Sequence, residues 1–325
     1  MKFFLRVATI KEVLYCHYIF LNGGKHMTAD KNYERKRKVV DLFGKAIVFI
    51  SALLLIIITV SLFLFVASKG LSTFIKDGIS IKEFLFSTTW KPDRDVPAVG
   101  SLQFILGSVL VSVFAILISA PLGVSSAIFM VEIAKKLGQK ILQPAIEIFV
   151  GIPSVVYGWV GLTVLVPFIS EHFGGLGFSL LAGILVLTVM TLPTITSVST
   201  DAIKSLPVEI REASYALGAT RWQTIRHVIL PAAKPGILTA IVLGLARAFG
   251  EALAVQMVIG NRPVIPKSFL EPISTITSII TMDMGNTVMG TVWNDALWSL
   301  ALLLLMISFT FIIVIKLVGR RGMYK

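Results

Sequence analysis

Six long apolar segments dominate this chain and limit what it can fold into. A helix that crosses the hydrocarbon core of a bilayer needs about 20 mostly apolar residues, and each segment is long enough. Hydrophobic residues make up 55% of the 325 positions and charged residues only 15%, which is too apolar for a soluble domain. The sequence therefore predicts an all-α membrane protein with six transmembrane helices. They lie at roughly residues 45–67, 101–131, 145–169, 179–200, 236–260 and 294–317.

Lysine and arginine residues are distributed unevenly between the two sides of these segments. From Met27 onward, the amino-terminal side and the loops that share it carry 18 of them, whereas the opposite side carries 7. Lys and Arg resist translocation and accumulate on the cytoplasmic side of a membrane. This bias predicts that both termini and the loop 201–235 are cytoplasmic.

The net charge of +12 reflects the same bias. The basic residues are expected to interact with anionic lipid headgroups. Basic and aromatic residues are not interleaved as on a nucleic-acid-binding surface, so no nucleic-acid partner is expected. Cys16 is the only cysteine, which leaves no disulfide framework and no thiolate metal site. The four histidines are scattered along the chain, and no metal site is predicted.

The amino-terminal 26 residues look unlike the rest of the chain. We interpret residues 1–26 as a non-native extension with Met27 as the start, because the codons before Met27 can contain a bacterial ribosome-binding sequence at the normal distance. A short amphipathic or signal-like extension is the alternative. Residues 27–44 are predicted to be a basic cytoplasmic head, and residues 45–325 the transmembrane domain that contains the loop 201–235.

The loop 201–235 is predicted to contain two short helices near the membrane surface. Glu212 favours the positive amino end of the first helix, and Gly218 can adopt the left-handed conformation that ends it. Thr220 and Gln223 have the spacing of a capping box, which begins a second helix. Pro231 then marks the return to the membrane.

The same loop is similar to the motif that ABC importer permeases present to their ATPase subunits: E-A-A, three residues, Gly, nine residues and I-x-L-P. Ser214 stands in place of the second Ala and Val228 in place of the Ile. A membrane-surface amphipathic helix is the alternative interpretation. The resemblance implies that the following residues couple to an ATPase: Glu212, Ala213, Ser214, Gly218, Thr220, Arg221 and Pro231.

The chain contains no G-x-x-x-x-G-K-[ST] loop that would cradle nucleotide phosphates. No cofactor and no catalytic residue are therefore assigned to this chain, which is predicted to be a transport subunit and not an enzyme. ATP and Mg are expected to bind to a separate ATPase subunit.

Arg247 and Glu251 lie four residues apart in the fifth apolar segment, which places them on one helical face. Such residues are costly in a bilayer and usually face a partner or an aqueous path. One hypothesis is a salt bridge that only holds the helix in place. The other is an anion path, in which Arg247 binds an oxyanion with forked hydrogen bonds. Glu251 would then accept the proton that hydrogen phosphate carries and sulfate lacks.

Four sequence stretches resemble phosphate-specific ABC permeases of the PstC type, and the similarity covers nearly all of residues 30–325. They are GIPSVVYG at 151–158, REASYALGATRW at 211–222, LPAAKPGI at 230–237 and ARAFGEALAVQMVIGN at 246–261. The resemblance implies the type I importer (MetI-like) fold, phosphate as cargo and the bacterial cytoplasmic membrane. It also implies a paralogous PstA-type permease, two PstB-type ATPases and an extracytoplasmic PstS-type binding protein as partners.

Within this interpretation, Arg247 binds or passes the anion, and Glu251 orients Arg247 or accepts the phosphate hydroxyl. Sulfate, molybdate or another oxyanion remains an alternative cargo, because the docking motif carries no information about it. A non-ABC anion channel or carrier could use the same charged pair without ATP. An intramembrane protease is disfavoured, because the chain has no H-E-x-x-H and its histidines are scattered.

Overall fold

The computed structural model describes residues 31–94 and 96–321, which are almost entirely helical. The predicted extension 1–26 and the start at Met27 lie outside the described residues. Six helical segments are long and apolar enough to cross a membrane, which confirms the predicted number. We call them the first to the sixth span: Leu42–Ile75, Leu102–Ile133, Ser154–Phe173, Leu180–Lys204, Arg221–Gly250 and Val292–Leu317.

The spans are built from helices that are in several places joined by single π-helical turns. The helices are Lys31–Gly70, Ser72–Ile75, Leu102–Ile128, Ser154–Val160, Val166–Phe173, Leu180–Lys204, Arg221–Thr224, Leu230–Gly250 and Val292–Arg321. The π-helical turns within spans are Phe129–Ile133, Gly161–Leu165 and Ile225–Ile229. Between the spans lie the helices Ile81–Phe86, Lys135–Leu137, Gln143–Gly151, Val208–Ala216, Leu253–Gln256 and Ile276–Asp283, the turns Gly138–Leu142 and Met284–Asn286, and the antiparallel strands Trp90–Lys91 and Ala98–Val99.

The third predicted segment, 145–169, is not one helix in the structure. Helix Gln143–Gly151 ends, Ile152 is extended with ψ 129°, and a new helix begins at Ser154. Pro153 explains the break, because a residue that precedes proline is pushed out of the helical region.

The described residues fall into two units, which divide between Phe63 and Leu64. In the described part of the first unit, the side chains from Leu42 to Phe63 are exposed, as expected for a helix that faces lipid. Residues 31–44 of the predicted basic head are helical and continue into this span.

The fourth span lies at the centre of the second unit and packs against the second and fifth spans. Its Leu187 and Ile195 are fully buried. Gly123 and Gly244 allow this close approach, because an added Cβ would lie 2.9 Å and 2.7 Å from Ile195 side-chain atoms. Small residues at helix contacts serve the same purpose in other membrane proteins.

A second apolar cluster covers the end of the bundle that carries the two short strands and includes Phe84, Phe104 and Leu297. Beside it, Lys76 forms an ion pair of 3.2 Å with Asp295, whose side chain is 7% exposed. Burial raises the pKa of the neighbouring Asp77, and the Asp295 carboxylate raises it further. The buried Asp295 carboxylate is therefore paired with a cation.

Gly107 gives a test of the packing between the second span and the segment that follows the fifth. A Cβ at Gly107 would lie 2.1 Å from the Ser274 carbonyl oxygen, whereas a Cβ at Gly151 meets nothing within 4 Å. We expect Gly107→Ala to lower the free energy of unfolding by about 1–3 kcal/mol, because the backbone at Ser274 must move. Gly151→Ala is the control. Thermal unfolding of the purified protein in detergent measures both, and equal midpoints would contradict this packing.

Candidate functional site

The loop 201–235 folds as the predicted helix, glycine turn and helix. Helix Val208–Ala216 is followed by Gly218, whose φ of +79° lies in the left-handed region. The Thr220 hydroxyl accepts a hydrogen bond of 3.3 Å from the Gln223 backbone N–H, and the Thr220 N–H donates to Gln223 Oε1 at 2.8 Å. The predicted capping box is confirmed.

The sequence predicted that the second short helix is separate from the fifth span. In the structure the two are continuous. The short helix continues through the π-helical turn Ile225–Ile229 into helix Leu230–Gly250, so Pro231 lies in the first turn of that helix. Because proline has no N–H, Pro231 removes one backbone hydrogen bond at the point where π-helical bonding changes to α-helical bonding.

Ser214 joins the two short helices on their buried side. Its hydroxyl lies 2.9 Å from the Thr224 hydroxyl, and Ser214 is 8% exposed. An alanine, which the family motif has at this position, could not make this hydrogen bond. Ser214 thus contributes to the shape of the loop and not to its outer surface.

The other predicted coupling residues lie on the outer surface of the loop. Glu212, Ala213 and Gly218 are exposed, as are Thr220, Arg221 and Pro231. They accompany two exposed apolar side chains, Leu217 at 90% and Trp222 at 63%. Large apolar side chains grouped on a polar loop are typical of an interaction surface.

Two contacts that sequence reasoning missed tie this loop to the second span. Arg211 Nε lies 2.9 Å from Glu132 Oε1, and Arg221 Nη2 donates to the Ile133 carbonyl at 3.1 Å. The signal was present: Glu132 is an ionisable residue at the end of an apolar segment, and such a residue needs a partner.

Arg247 lies in the last turn of helix Leu230–Gly250, where a cation is favourable because the helix dipole is negative at that end. Its Nη1 donates a hydrogen bond of 2.8 Å to Thr194 Oγ1 on the fourth span. The guanidinium is therefore positioned between the fifth and fourth spans.

Glu251 does not share a helical face with Arg247, which corrects the prediction. The helix ends at Gly250, and Glu251 is extended with φ −75° and ψ 124°. Glu251 Oε1 accepts a hydrogen bond of 3.1 Å from the Ala254 N–H, and the Glu251 carbonyl accepts one of 2.9 Å from the Thr277 hydroxyl. The ion pairs of the described residues do not include Arg247 with Glu251. The spacing argument failed because it assumed a continuous helix.

An apolar groove of about 560 Å³ lies between the third and fourth spans. Its lining is almost wholly apolar and includes Phe149, Val156, Phe168 and Val189. An anion would lose its hydration there without gaining hydrogen-bond donors. This groove suits lipid or another apolar helix.

Comparison with known proteins gives the family. A family model described as "Binding-protein-dependent transport system inner membrane component" matches residues 119–322. The chain is 54% identical to the probable ABC transporter permease protein YqgH of Bacillus subtilis, over 93% of this chain and 99% of the relative. It is 34% identical to the phosphate transport system permease protein PstC of Mesorhizobium japonicum, over 85% of this chain and 88% of the relative.

The fold agrees with the crystal structure of a bacterial alginate ABC transporter in complex with its alginate-bound periplasmic protein. That match has a TM-score of 0.61 at 18% identity and covers 87% of this chain and 97% of the solved one. At this identity the likeness concerns the fold alone. The six spans, the docking motif and these matches together show that the chain belongs to the binding-protein-dependent transport system inner membrane components, the multi-pass permease subunits of ABC importers in the cytoplasmic membrane.

Proposed function

We propose that this permease subunit moves inorganic phosphate into the cell. The observation that carries the proposal is Arg247, a cation within a span whose described hydrogen-bond partner is the neutral Thr194 hydroxyl. Relatives named as phosphate permeases support the same cargo, at 34% and 33% identity for the proteins of Mesorhizobium japonicum and Haemophilus influenzae.

The guanidinium of Arg247 suits a tetrahedral oxyanion. Arginine carries five N–H donors in a planar fork, and the hydrogen bond to Thr194 uses one of them. The bond fixes the orientation of the side chain, so an incoming phosphate would find preorganised donors. Charge-assisted bonds of this kind are about twice as strong as neutral ones.

Glu251 supplies the discrimination between phosphate and sulfate. It follows directly on the helix that carries Arg247, and one carboxylate oxygen is occupied by the Ala254 N–H. In this proposal the other oxygen accepts the proton of hydrogen phosphate. Sulfate has no proton to donate and meets only the repulsion of the carboxylate. The alternative role, in which Glu251 orients Arg247, has no hydrogen bond to support it among the described residues.

The proposed complex contains a paralogous PstA-type permease, two PstB-type ATPases that bind ATP and Mg, and a PstS-type binding protein outside. The 201–235 loop faces the cytoplasm in this arrangement and docks on an ATPase through its exposed surface. Membership of the importer family argues against a non-ABC channel or carrier and against a protease. Sulfate or molybdate remains the second candidate, because the name of the Bacillus subtilis relative gives no cargo.

Replacement of Arg247 tests the cargo and its path together. In cells that lack their own phosphate permease and express the partner subunits, we expect the wild type to restore uptake of labelled phosphate in excess sulfate. Arg247→Gln should lower uptake at least about tenfold, since loss of a charge-assisted hydrogen bond costs about 1.5–3 kcal/mol. Lys316→Gln removes an exposed cation from the sixth span and is the control. Uptake by Arg247→Gln equal to the control, at matched abundance, would refute the role of Arg247.

Glu251→Gln tests the basis of selectivity. Glutamine keeps an oxygen that can accept from the Ala254 N–H but removes the negative charge. We expect the variant to remain folded and to be inhibited by sulfate at a roughly tenfold lower concentration than the wild type. The measurement is sulfate competition against labelled phosphate. An unchanged inhibition curve would reduce Glu251 to a cap of the following short helix.

Gly218 tests the docking role of the 201–235 loop. Its φ is +79° and its missing Cβ would meet nothing within 4 Å, so any effect of substitution comes from the backbone. A valine in this conformation costs roughly 1–2 kcal/mol, whereas asparagine adopts it readily. We expect Gly218→Val to lower both ATPase co-purification and phosphate uptake, and Gly218→Asn to retain both. Equal amounts of ATPase co-purified with Gly218→Val and with Gly218→Asn would contradict the docking role of the loop.

A further inference from the structure

The 201–235 loop is joined to the end of the second span by two arginines that approach from its two short helices. Arg211 pairs with Glu132, and Arg221 donates to the next carbonyl, that of Ile133. Both contacts fall on one π-helical turn, Phe129–Ile133. We propose that Arg211 is a positioning residue that, through Glu132, makes the second span move together with the loop. This inference rests on the proposed coupling of the loop to an ATPase.

The Arg211–Glu132 pair is buried. The two side chains are 11% and 3% exposed. A charge at this depth must be compensated, because an unpaired buried charge is strongly destabilising. The pair is therefore persistent, unlike an exposed ion pair that exchanges with water.

Arg211 also connects the loop to the end of the fourth span. Its Nη2 donates to the Ile203 carbonyl at 2.9 Å and its Nη1 to the Leu206 carbonyl at 3.0 Å. The Ile203 carbonyl lies in the last turn of the helix and also accepts a hydrogen bond of 3.4 Å from the Leu206 N–H. One guanidinium thus holds the loop, the second span and the fourth span in a single geometry.

The remaining contact between these elements is apolar and has no preferred direction. Val131, Ile203, Ile225 and Ile229 form this cluster. Apolar surfaces can slide past one another with little change in buried area, whereas a planar guanidinium fork fixes both distance and angle. A displacement of the loop would therefore reach the second span mainly through the two arginine contacts, of which the Arg211–Glu132 pair is buried and the Arg221 contact is exposed.

The receiving turn is suited to transmit such a displacement. Single π-helical turns within α-helices occur often at functional sites. This one ends at Ala134, which leaves the helical region with φ −115° and ψ 57°. The second span can therefore change direction at the point where the two arginines hold it.

A spin label on the second span tests the proposal without reference to cargo. Ser125→Cys, at an exposed position of this span, is labelled in a chain whose only cysteine is replaced by Cys16→Ser. The complete complex with its partner permease and ATPase is compared without nucleotide and after trapping with ATP and vanadate. The variants are Arg211→Gln, Glu132→Gln and the double variant, which leaves no uncompensated charge and so keeps a folded test case. Lys136→Gln, exposed and close in sequence, is the control.

We expect the double variant, which leaves no buried charge unpaired, to retain ATPase co-purification and ATP hydrolysis, because the outer surface of the loop is unchanged. The nucleotide-dependent change in the label spectrum should fall at least fivefold, and Lys136→Gln should behave as the wild type. A wild-type spectral change in the double variant would overturn the proposal. Loss of ATPase co-purification in all three variants would also overturn it, since Arg211 would then act at the docking surface.

A failure of the phosphate assignment can be distinguished from a failure of the proposal for Arg211. Absence of phosphate uptake by the wild type would refute the phosphate assignment and leave the label comparison valid. A label change in the wild type that disappears in the double variant would still support the role of Arg211.

Discussion

The structure depends on one constraint: a bilayer core offers no hydrogen-bond partners, so each polar group in a span must be satisfied within the protein. Glu132 is satisfied by its ion pair with Arg211. The hydroxyl of Thr191 is satisfied by hydrogen bonds to the Ser119 hydroxyl at 3.1 Å and to the Leu187 carbonyl. Polar contacts of this kind are expensive to break, so they determine which helices stay together. The fourth span makes such contacts with both of its packing partners, through Thr191 to Ser119 of the second span and through Thr194 to Arg247 of the fifth.

The same constraint determines where the chain is allowed to leave the helix. The fifth span ends at Gly250, and the extended backbone of Glu251 is satisfied on both sides: its N–H donates to the Ala248 carbonyl at 3.4 Å, and its carbonyl accepts from the Thr277 hydroxyl at 2.9 Å. Irregular backbone at this depth is tolerated only where protein or a water-lined cavity surrounds it. The break therefore coincides with the position that we assign to the anion, next to Arg247.

Much of this architecture follows from the sequence. The six spans come from apolar length, and the capping box at Thr220 from local hydrogen-bond chemistry, both of which need only neighbouring residues. The end of the helix at Gly250 was missed because the apolar pattern continues beyond it. The partner of Glu132 was missed because Arg211 is 79 positions away in the chain. Such a pairing depends on tertiary packing, which periodicity does not encode.

The two arginines of greatest interest differ in how completely their donors are used. Arg211 is bonded to a carboxylate and to the carbonyls of Ile203 and Leu206, so little of its fork remains for a ligand. Arg247 has one described bond, to the neutral hydroxyl of Thr194, and its charge has no described carboxylate partner. A cation kept in a span without a counter-ion is costly unless an anion visits it. The saturated arginine therefore fits a mechanical role, and the unsaturated one fits the binding of a passing oxyanion.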